Sequence, residues 1–159
     1  MTEVHPEYLR FSVLKFSTLS ADSSLGGKNM TILIVDDSRF LRMTNERALH
    51  KAGFDVIGAA DGEEGLRIAR EKLPDLIVLD MMLPKLSGPE VLKALQSDSA
   101  TARIPVMVLT SLSQANEEKL KHDGATEYFE KSTLSLDKSP DRLVQAVKRM
   151  LPKAMATAK

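Results

Sequence analysis

Acidic, hydroxyl and basic side chains follow the apolar stretches of this sequence at four separate places. Asp36 and Asp37 come directly after one apolar run, Asp80 follows another, and Thr110 and Lys131 occupy equivalent positions later in the chain. Carboxylate oxygens are ligands that suit Mg²⁺, and a carboxylate can also attack phosphorus to form an acyl phosphate. A hydroxyl and an ammonium group beside them would position and neutralise a transferred phosphoryl group.

Nearly one hundred residues separate the first of these side chains from the last, so a particular fold is needed to bring them together. Short apolar runs, rich in β-branched residues, predict five strands. The predicted strands cover residues 31–35, 54–60, 76–79, 105–109 and 125–130. The first, third, fourth and fifth predicted strands are each followed directly by one or two of the polar side chains named above, and only the second strand is not.

Segments with helical spacing and capping residues separate the strands. Ser38 is a predicted N-cap, and Gly53 is expected to end the first helix. Two capping boxes, at 61–64 and 87–90, begin the second and third helices, a charged helix is predicted at 113–123, and a last one runs from Pro140 to just before Pro152. The predicted buried stripes are Leu66, Ala69 and Leu73 in the second helix, Val91, Leu92 and Leu95 in the third, and Leu143, Val147 and Leu151 in the last.

Strict alternation of five strands and helices predicts an α/β fold, a doubly wound parallel sheet with helices on both faces. Ligands of such sheets bind outside the carboxyl ends of the strands. The five polar residues are therefore expected to meet in one crevice. Three clustered acids would raise one another's pKa unless a cation neutralised them, which favours a Mg²⁺ site.

The composition excludes several classes of protein. The chain has 159 residues, with 22 basic and 22 acidic side chains, so a strongly basic nucleic-acid binder is not expected. The absence of cysteine excludes disulfides, thiolate metal sites and a cysteine nucleophile. The apolar runs are far shorter than the roughly 18 residues of a membrane span, and no secretory signal is readable near the start. We therefore expect a cytoplasmic protein without a membrane segment.

Three regions are predicted along the chain: a flexible N-terminal extension at 1–29, a globular domain at 30–151 and a short C-terminal tail at 152–159. The stretch 17–29 is rich in Ser, Gly and Asp and has few large apolar residues, as in a linker. The tail is too short to hold a DNA-binding or catalytic output domain. Output by protein–protein contact is therefore expected.

Four segments of the sequence resemble the signatures of a known family. The segments 32–38, 79–84 together with Gly88, 108–111 and 128–131 are similar to those of the receiver domain of two-component response regulators. The resemblance covers residues 30–151 and implies a flavodoxin-like sheet of strand order 2-1-3-4-5. It also implies a chemotaxis-type, single-domain switch, whose only activities are its own phosphorylation and autodephosphorylation, rather than an enzyme.

The resemblance assigns roles to the acidic residues. Asp80 would accept the phosphoryl group from a phosphohistidine of a sensor histidine kinase or a phosphotransfer protein. Asp37, Asp80 and the backbone carbonyl of Met82 would bind Mg²⁺ directly, and Asp36 would act largely through water.

The resemblance also assigns roles to residues of the last two strands. Lys131 would pair with the phosphoryl group, and the Thr110 hydroxyl would turn to hydrogen-bond it. Tyr128 would swing inward in response and so signal to a downstream protein partner. Two features depart from the family. Ser132 stands where a proline is usual, and the stretch 132–139 is longer than the usual connection.

Other interpretations stay open at this stage. Taken singly, Asp36 and Asp37 could cap a helix, Lys131 could be a solvated charge, and Tyr128 could be a half-buried strand aromatic. A phosphatase or a small flavin protein could use the same fold, but the acidic 36–39 segment would repel a flavin phosphate, and the dehalogenase-type phosphatases need two acids spaced by one residue. A degenerate receiver would serve only as an interaction module. Whether phosphorylation drives dimerisation is also left open.

Overall fold

The computed structural model describes residues 28–111, 117–134 and 140–157 of the chain. Its strands are β1 (Thr31–Val35), β2 (Asp55–Ala59), β3 (Leu76–Asp80), β4 (Val106–Thr110) and β5 (Glu127–Glu130). Its helices are α1 (Arg39–Lys51), α2 (Gly62–Lys72), α3 (Gly88–Ser97), α4 (Glu117–His122), α5 (Lys131–Leu134) and α6 (Asp141–Thr157). The described part of the chain thus alternates strand and helix, with the single-turn α5 inserted between β5 and α6.

The five strands form one sheet in the order β2-β1-β3-β4-β5, with every neighbouring pair parallel. The predicted α/β fold and strand order 2-1-3-4-5 are therefore confirmed. The acceptor candidate Asp80 ends β3, the central strand, which is buried along its whole length. Central strands of parallel sheets are covered on both faces, which explains their continuous apolar sequences.

The sheet separates two apolar clusters. Alternate residues of each strand point to opposite faces, so Leu33 and Val35 of β1 enter one cluster while Ile32 and Ile34 enter the other. The first cluster is covered by α2, α3 and α4, through residues such as Leu92. The second is covered by α1 and α6. The predicted buried residues of α3 and α6 all lie in these clusters: Val91, Leu92, Leu95, Leu143, Val147 and Leu151.

The predicted capping residues lie at the ends of α1 and α3. The Ser38 hydroxyl accepts the Leu41 N–H at the start of α1, and Gly53, with φ +97°, follows its end. The second predicted capping box is present at the start of α3, where Ser87 and Glu90 cap each other. These contacts fix where α1 and α3 begin relative to the strands before them.

The predicted buried stripe of α2 is partly wrong. Leu73 is 53% exposed, because it leaves the helix at its C-cap in the left-handed conformation, with φ +46°. The buried face consists of Gly62, Gly65, Ile68 and Ala69. A Cβ on Gly65 would lie 2.8 Å from both methyl carbons of Val35, so this glycine allows α2 to approach the sheet closely. Leu73, at the C-cap, lies outside this buried face.

The helix expected to end before Pro152 continues to Thr157, so that predicted boundary is wrong. A proline removes one N–H donor and can kink a helix without ending it. Parts of other predictions lie outside the described residues: most of the 1–29 extension, the start of the helix at 113–123, and 135–139 of the long connection. Within the described ranges, no helix combines the length and apolar character that crossing a membrane requires.

Candidate functional site

The register of the sheet brings the predicted acidic residues together. Val35 of β1 pairs with Leu79 of β3, so the residues that follow them, Asp36 and Asp80, lie side by side at the carboxyl ends of the strands. Asp37 joins them: one carboxylate oxygen from each of the three lies within 4.8 Å of the others. Asp36 and Asp80 are almost fully buried, whereas Asp37 is exposed. The three carboxylates therefore form one cluster that opens to solvent on the Asp37 side.

Lys131 reaches this cluster from the end of β5. Its Nζ lies 2.8 Å from Asp80 Oδ2 and 3.0 Å from Asp36 Oδ2, and so bridges the two buried carboxylates. Lys131 was predicted to follow strand five directly, and it does, as the first residue of α5. A purely solvated role for this lysine is excluded, because its side chain is only 16% exposed.

Backbone groups hold the other oxygens of the two buried carboxylates. Asp36 Oδ1 accepts the Ser38 N–H at 2.9 Å, and Asp80 Oδ1 accepts the Met82 N–H at 3.1 Å. The guanidinium of Arg42 donates to the main-chain carbonyl of Asp36 at 2.7 Å. Each of the two buried aspartates is thus fixed by its own following residues as well as by the lysine.

The pKa values of Asp80 and Lys131 are both raised above their ordinary values. Burial raises the pKa of Asp80 above its ordinary value, although the hydrogen bonds from Lys131 and Met82 act in the opposite direction. Burial lowers the pKa of Lys131, but its hydrogen bonds to Asp80 and Asp36 outweigh burial, and the net pKa is raised. The lysine is therefore held in its charged form, and the ionised Asp80 gains from any further positive charge nearby.

The charges of the cluster leave room for a divalent cation. Three carboxylates and one ammonium group leave two negative charges, which a doubly charged ion would neutralise. All the donors are oxygen atoms, as hard cations such as Mg²⁺ prefer, and the site is open to water on one side. The donor set therefore fits Mg²⁺.

The remaining predicted site residues surround this cluster. Thr110 is completely buried at the end of β4, the strand between Asp80 and Lys131 in the sheet. Tyr128 pairs in register with Val108, two residues before Thr110 on the same face of β4, and is 8% exposed. Burial, followed by the charges of Glu130 and Glu117, raises the pKa of Tyr128. Met82 is 61% exposed in the loop after Asp80.

Two residues whose positions support the site were not assigned a role from the sequence. A Cβ on Gly88 would lie 2.5 Å from the carbonyl oxygen of Asp80, and the Gly88 N–H donates to the Met81 carbonyl at 3.1 Å. Gly88 was part of the recognised motif, but only its structure gives the reason. Arg42 had no sequence signal, because a basic residue on a helix is most often a solvated surface charge.

The sequence is similar to those of known response regulators. Residues 32–148 match the family described as "Response regulator receiver domain". The transcriptional regulatory protein PhoP of Bacillus subtilis is 41% identical over 104 residues, which cover 65% of this chain and 42% of PhoP. The polar-differentiation response regulator DivK of Brucella anthropi is 31% identical over 122 residues, which cover 76% of this chain and 95% of DivK. The DNA-binding dual master transcriptional regulator RpaA of Synechocystis is 39% identical over 127 residues, which cover 74% of this chain and 53% of RpaA. The chain therefore spans about half or less of PhoP and RpaA.

Solved structures of response regulators share the fold of this chain. The chemotaxis response regulator CheY4 of Vibrio cholerae has a TM-score of 0.69 and 30% identity, and the match covers 77% of this chain and 98% of CheY4. A putative response regulator from Chloroflexus aurantiacus has a TM-score of 0.70 and 32% identity, with 79% and 99% covered. On the family match, which takes in all five strands, this chain belongs to the response regulator receiver domain family.

Proposed function

We propose that the chain is a phosphorylation switch of the stand-alone, chemotaxis-like type, acting in the cytoplasm, with Asp80 as its phosphoryl acceptor. The observation that carries the proposal is the Lys131 ammonium group bridging Asp80 and Asp36, residues that lie 51 and 95 positions away in the sequence. Burying charged groups carries a desolvation cost that their pairing offsets only in part, so a buried ion pair at a strand end supports a functional role rather than a purely stabilising one. Membership of the receiver family supports an aspartate as the acceptor.

The residues that would hold Mg²⁺ are Asp37, Asp80 and the main-chain carbonyl of Met82, with Asp36 acting through water. Receiver domains generally bind Mg²⁺ through acidic residues, and the three carboxylates gather within 4.8 Å in this chain. When bound, the ion supplies positive charge that offsets repulsion between the acceptor and an incoming phosphoryl group. The exposed position of Asp37 supports entry of the ion and of the donor from that side.

In the proposed reaction, an Asp80 carboxylate oxygen attacks the phosphorus of a phosphohistidine. A P–O bond forms, the P–N bond breaks, and the electron pair returns to the imidazole nitrogen, which takes a proton from solvent. The donor is a sensor histidine kinase or a phosphotransfer protein. Lys131 would keep the product oxygens paired with positive charge, as its short contact with Asp80 supports. Loss of the group by attack of water would end the signal.

Thr110 and Tyr128 are the proposed switch residues. Both lie on one face of neighbouring strands, so a turn of the Thr110 hydroxyl toward the phosphoryl group would change the space beside Tyr128. Tyr128 is buried in the structure described above, which is the inward position expected after the Thr110 hydroxyl turns, and the proposed switch is an exchange between this position and an exposed one. Beryllofluoride with Mg²⁺ is expected to shift the amide resonances of both residues; unchanged spectra would leave only the degenerate interaction module.

Output is proposed to pass through contact with a downstream protein. The near-complete coverage of DivK and CheY4 supports a protein of this length as a working unit. The partial coverage of PhoP and RpaA favours a second candidate, the receiver part of a longer transcriptional regulator. The intact mass of the protein in its native cells distinguishes them: a species near 17.5 kDa supports the first, and a substantially larger one supports the second.

Acetyl phosphate labelling tests the acceptor and the metal together. We expect one added phosphoryl group in the intact mass spectrum with Mg²⁺ and none after chelation. Asp80→Asn should abolish labelling. Asp75→Asn is the matched control, because Asp75 accepts the Thr31 N–H at 2.7 Å at the opposite end of the sheet. Persistent labelling of Asp80→Asn at another residue would move the acceptor and overturn the assignment.

A further inference from the structure

A charged contact outside the acidic cluster ties the loop after Asp80 to the start of α2. We call residues 81–87 the acceptor loop. Lys85 Nζ in this loop lies 2.7 Å from Asp61 Oδ2, while Asp61 Oδ1 accepts the Glu64 N–H at 2.8 Å and so caps α2. The Glu64 N–H and the Lys85 ammonium group both hold the pKa of Asp61 below its usual value. A single carboxylate therefore joins the helix to the loop.

The backbone of the acceptor loop is unusual at Lys85. Its φ is +66°, a left-handed value that residues with a side chain rarely adopt. The Leu86 N–H donates to the Pro84 carbonyl at 2.8 Å, which closes a three-residue turn around Lys85. Turns of this kind at positive φ are strained and persist only where surrounding contacts hold them. The ion pair with Asp61 is such a contact.

The first residue of α2 lies directly on this turn. The Gly62 N–H donates to the Pro84 carbonyl at 3.4 Å. A Cβ on Gly62 would overlap the Leu86 carbonyl oxygen and lie 2.7 Å from the Leu86 carbonyl carbon. The far side of the loop is thus packed against α2, while its near side is bound to the acceptor through the Met82 N–H and Asp80 Oδ1. The Met82 carbonyl, the atom that the proposed function assigns to the metal, lies along the chain between this anchored N–H and the turn at Lys85.

We propose that Lys85 is a positioning residue, whose ion pair with Asp61 holds the acceptor loop in the conformation that presents the Met82 carbonyl to Mg²⁺. The inference rests on the proposed function, which assigns that carbonyl to the metal. Lys85 itself acts only through the turn. Because its side chain is 59% exposed, the pair is a surface ion pair, and its loss should weaken Mg²⁺ binding about two- to fivefold.

Three substitutions separate the ion pair from the backbone strain. Lys85→Met removes the charge and keeps most of the stem, whereas Lys85→Arg keeps a charge that can reach Asp61. Lys85→Gly removes the ion pair but adopts positive φ without strain. A residue that served only the stability of the turn would be improved by glycine, but a positioning residue would not. Lys93→Met, on the exposed side of α3, is the matched control.

The measurement is a Mg²⁺ titration followed by the amide resonances of Asp37 and Asp80, with hydrogen exchange of the Leu86 N–H. We expect Lys85→Met and Lys85→Gly to raise the dissociation constant about two- to fivefold, Lys85→Arg and Lys93→Met to match the unaltered chain, and Leu86 to exchange faster in Lys85→Met. Saturating Mg²⁺ should recover acetyl phosphate labelling that Lys85→Met loses at low Mg²⁺, because the substitution weakens the affinity for the ion.

Three outcomes would overturn the inference, and each has a different meaning. Equal Mg²⁺ affinity in Lys85→Met, Lys85→Gly and the unaltered chain would remove Lys85 from the positioning role while leaving the proposed function intact. Failure of every protein, the unaltered chain included, to bind Mg²⁺ would overturn the proposed function itself. Tighter binding by Lys85→Gly would show that backbone strain, rather than the ion pair, controls the loop.

Discussion

Replacement of Lys131 by methionine removes the only positive charge that contacts the two buried carboxylates within the described parts of the chain. Asp36 and Asp80 are each less than 5% exposed at the side chain, and both hydrogen-bond to the same ammonium group. The substitution keeps the length and apolar stem of the side chain. It therefore isolates the charge, and the carboxylate cluster changes from two net negative charges to three.

The expected cost is large at neutral pH. Leaving a buried charge without its partner destabilises proteins by about 3–5 kcal/mol, and the 16% exposure of Lys131 places this case near the lower end. We therefore expect the free energy of unfolding to fall by about 3 kcal/mol. Bound Mg²⁺ should restore part of this loss, because it supplies the missing positive charge, and it should stabilise Lys131→Met more than the unaltered chain.

The pH dependence has a definite sign. The raised pKa of Lys131 means that its stabilising contribution is complete below about pH 10 and is lost only as the pH rises through the folded-state value. Burial raises the pKa of Asp80, so ionising it costs the folded state more as the pH rises from about 4. The difference between Lys131→Met and the unaltered chain should therefore be small near pH 4 and grow toward pH 7.

The free energies of unfolding of Lys131→Met and the unaltered chain are measured by urea unfolding. The signal is far-ultraviolet circular dichroism, because the chain has no tryptophan. Lys72→Met, an exposed lysine of α2, is the matched control and should change stability little. A loss below about 1 kcal/mol at pH 7, the size of a surface ion pair, would refute the argument. So would a loss of the same size at pH 4, because the carboxylates would then not be its cause.

Three further changes test other parts of the structure. Asn45→Leu should stabilise the chain by about 1–3 kcal/mol in urea unfolding, because neither polar atom of this buried amide has a hydrogen-bond partner among the described residues; an unchanged midpoint would mean that water or an undescribed residue satisfies it. Gly88→Ala should destabilise by about 1–3 kcal/mol and slow acetyl phosphate labelling, since its Cβ would meet the Asp80 carbonyl; wild-type behaviour would mean that the loop yields easily. Hydrogen bonds from Ser87 lower the pKa of Glu90, so the ionised Glu90 stabilises the fold above its unfolded-state pKa. That stabilisation is lost as the pH falls through the folded-state pKa. In Glu90→Gln the free energy of unfolding should therefore fall less steeply with decreasing pH.

The sequence was sufficient to predict the parallel sheet and the proximity of Asp36, Asp37 and Asp80, and the reason is physical. The alternation of elements predicted a parallel sheet covered by helices, the resemblance supplied its strand order, and in such a sheet every strand places its last residue at the same edge. Asp36, Asp80 and Lys131 each lie at a strand end, so their contact needed no knowledge of loops. The roles assigned to Thr110 and Tyr128 stay predictions, because a single conformation does not include the change they describe.

What the sequence could not predict depends on contacts between elements that are not neighbours in the chain. Leu73 has the spacing of a buried helical residue, but the face of α2 that packs on the sheet is the one that carries Gly65, which lies against Val35, and Leu73 is exposed at the C-cap. The turn at Lys85 has no sequence signal, because a glycine or asparagine would be expected at positive φ. Its partner, Asp61, lies 24 residues away and was recognised only as a helix cap.

The separation of the interior by the sheet has a mechanical consequence. Tyr128 belongs to the apolar cluster that α2, α3 and α4 cover, whereas α1 and α6 cover the cluster on the other face of the sheet. Repacking around Tyr128 can therefore be confined to one half of the molecule. In the proposed switch the cluster on the opposite face would keep its packing, so one outer face could change without disturbing the helices that support the proposed acceptor from the other side.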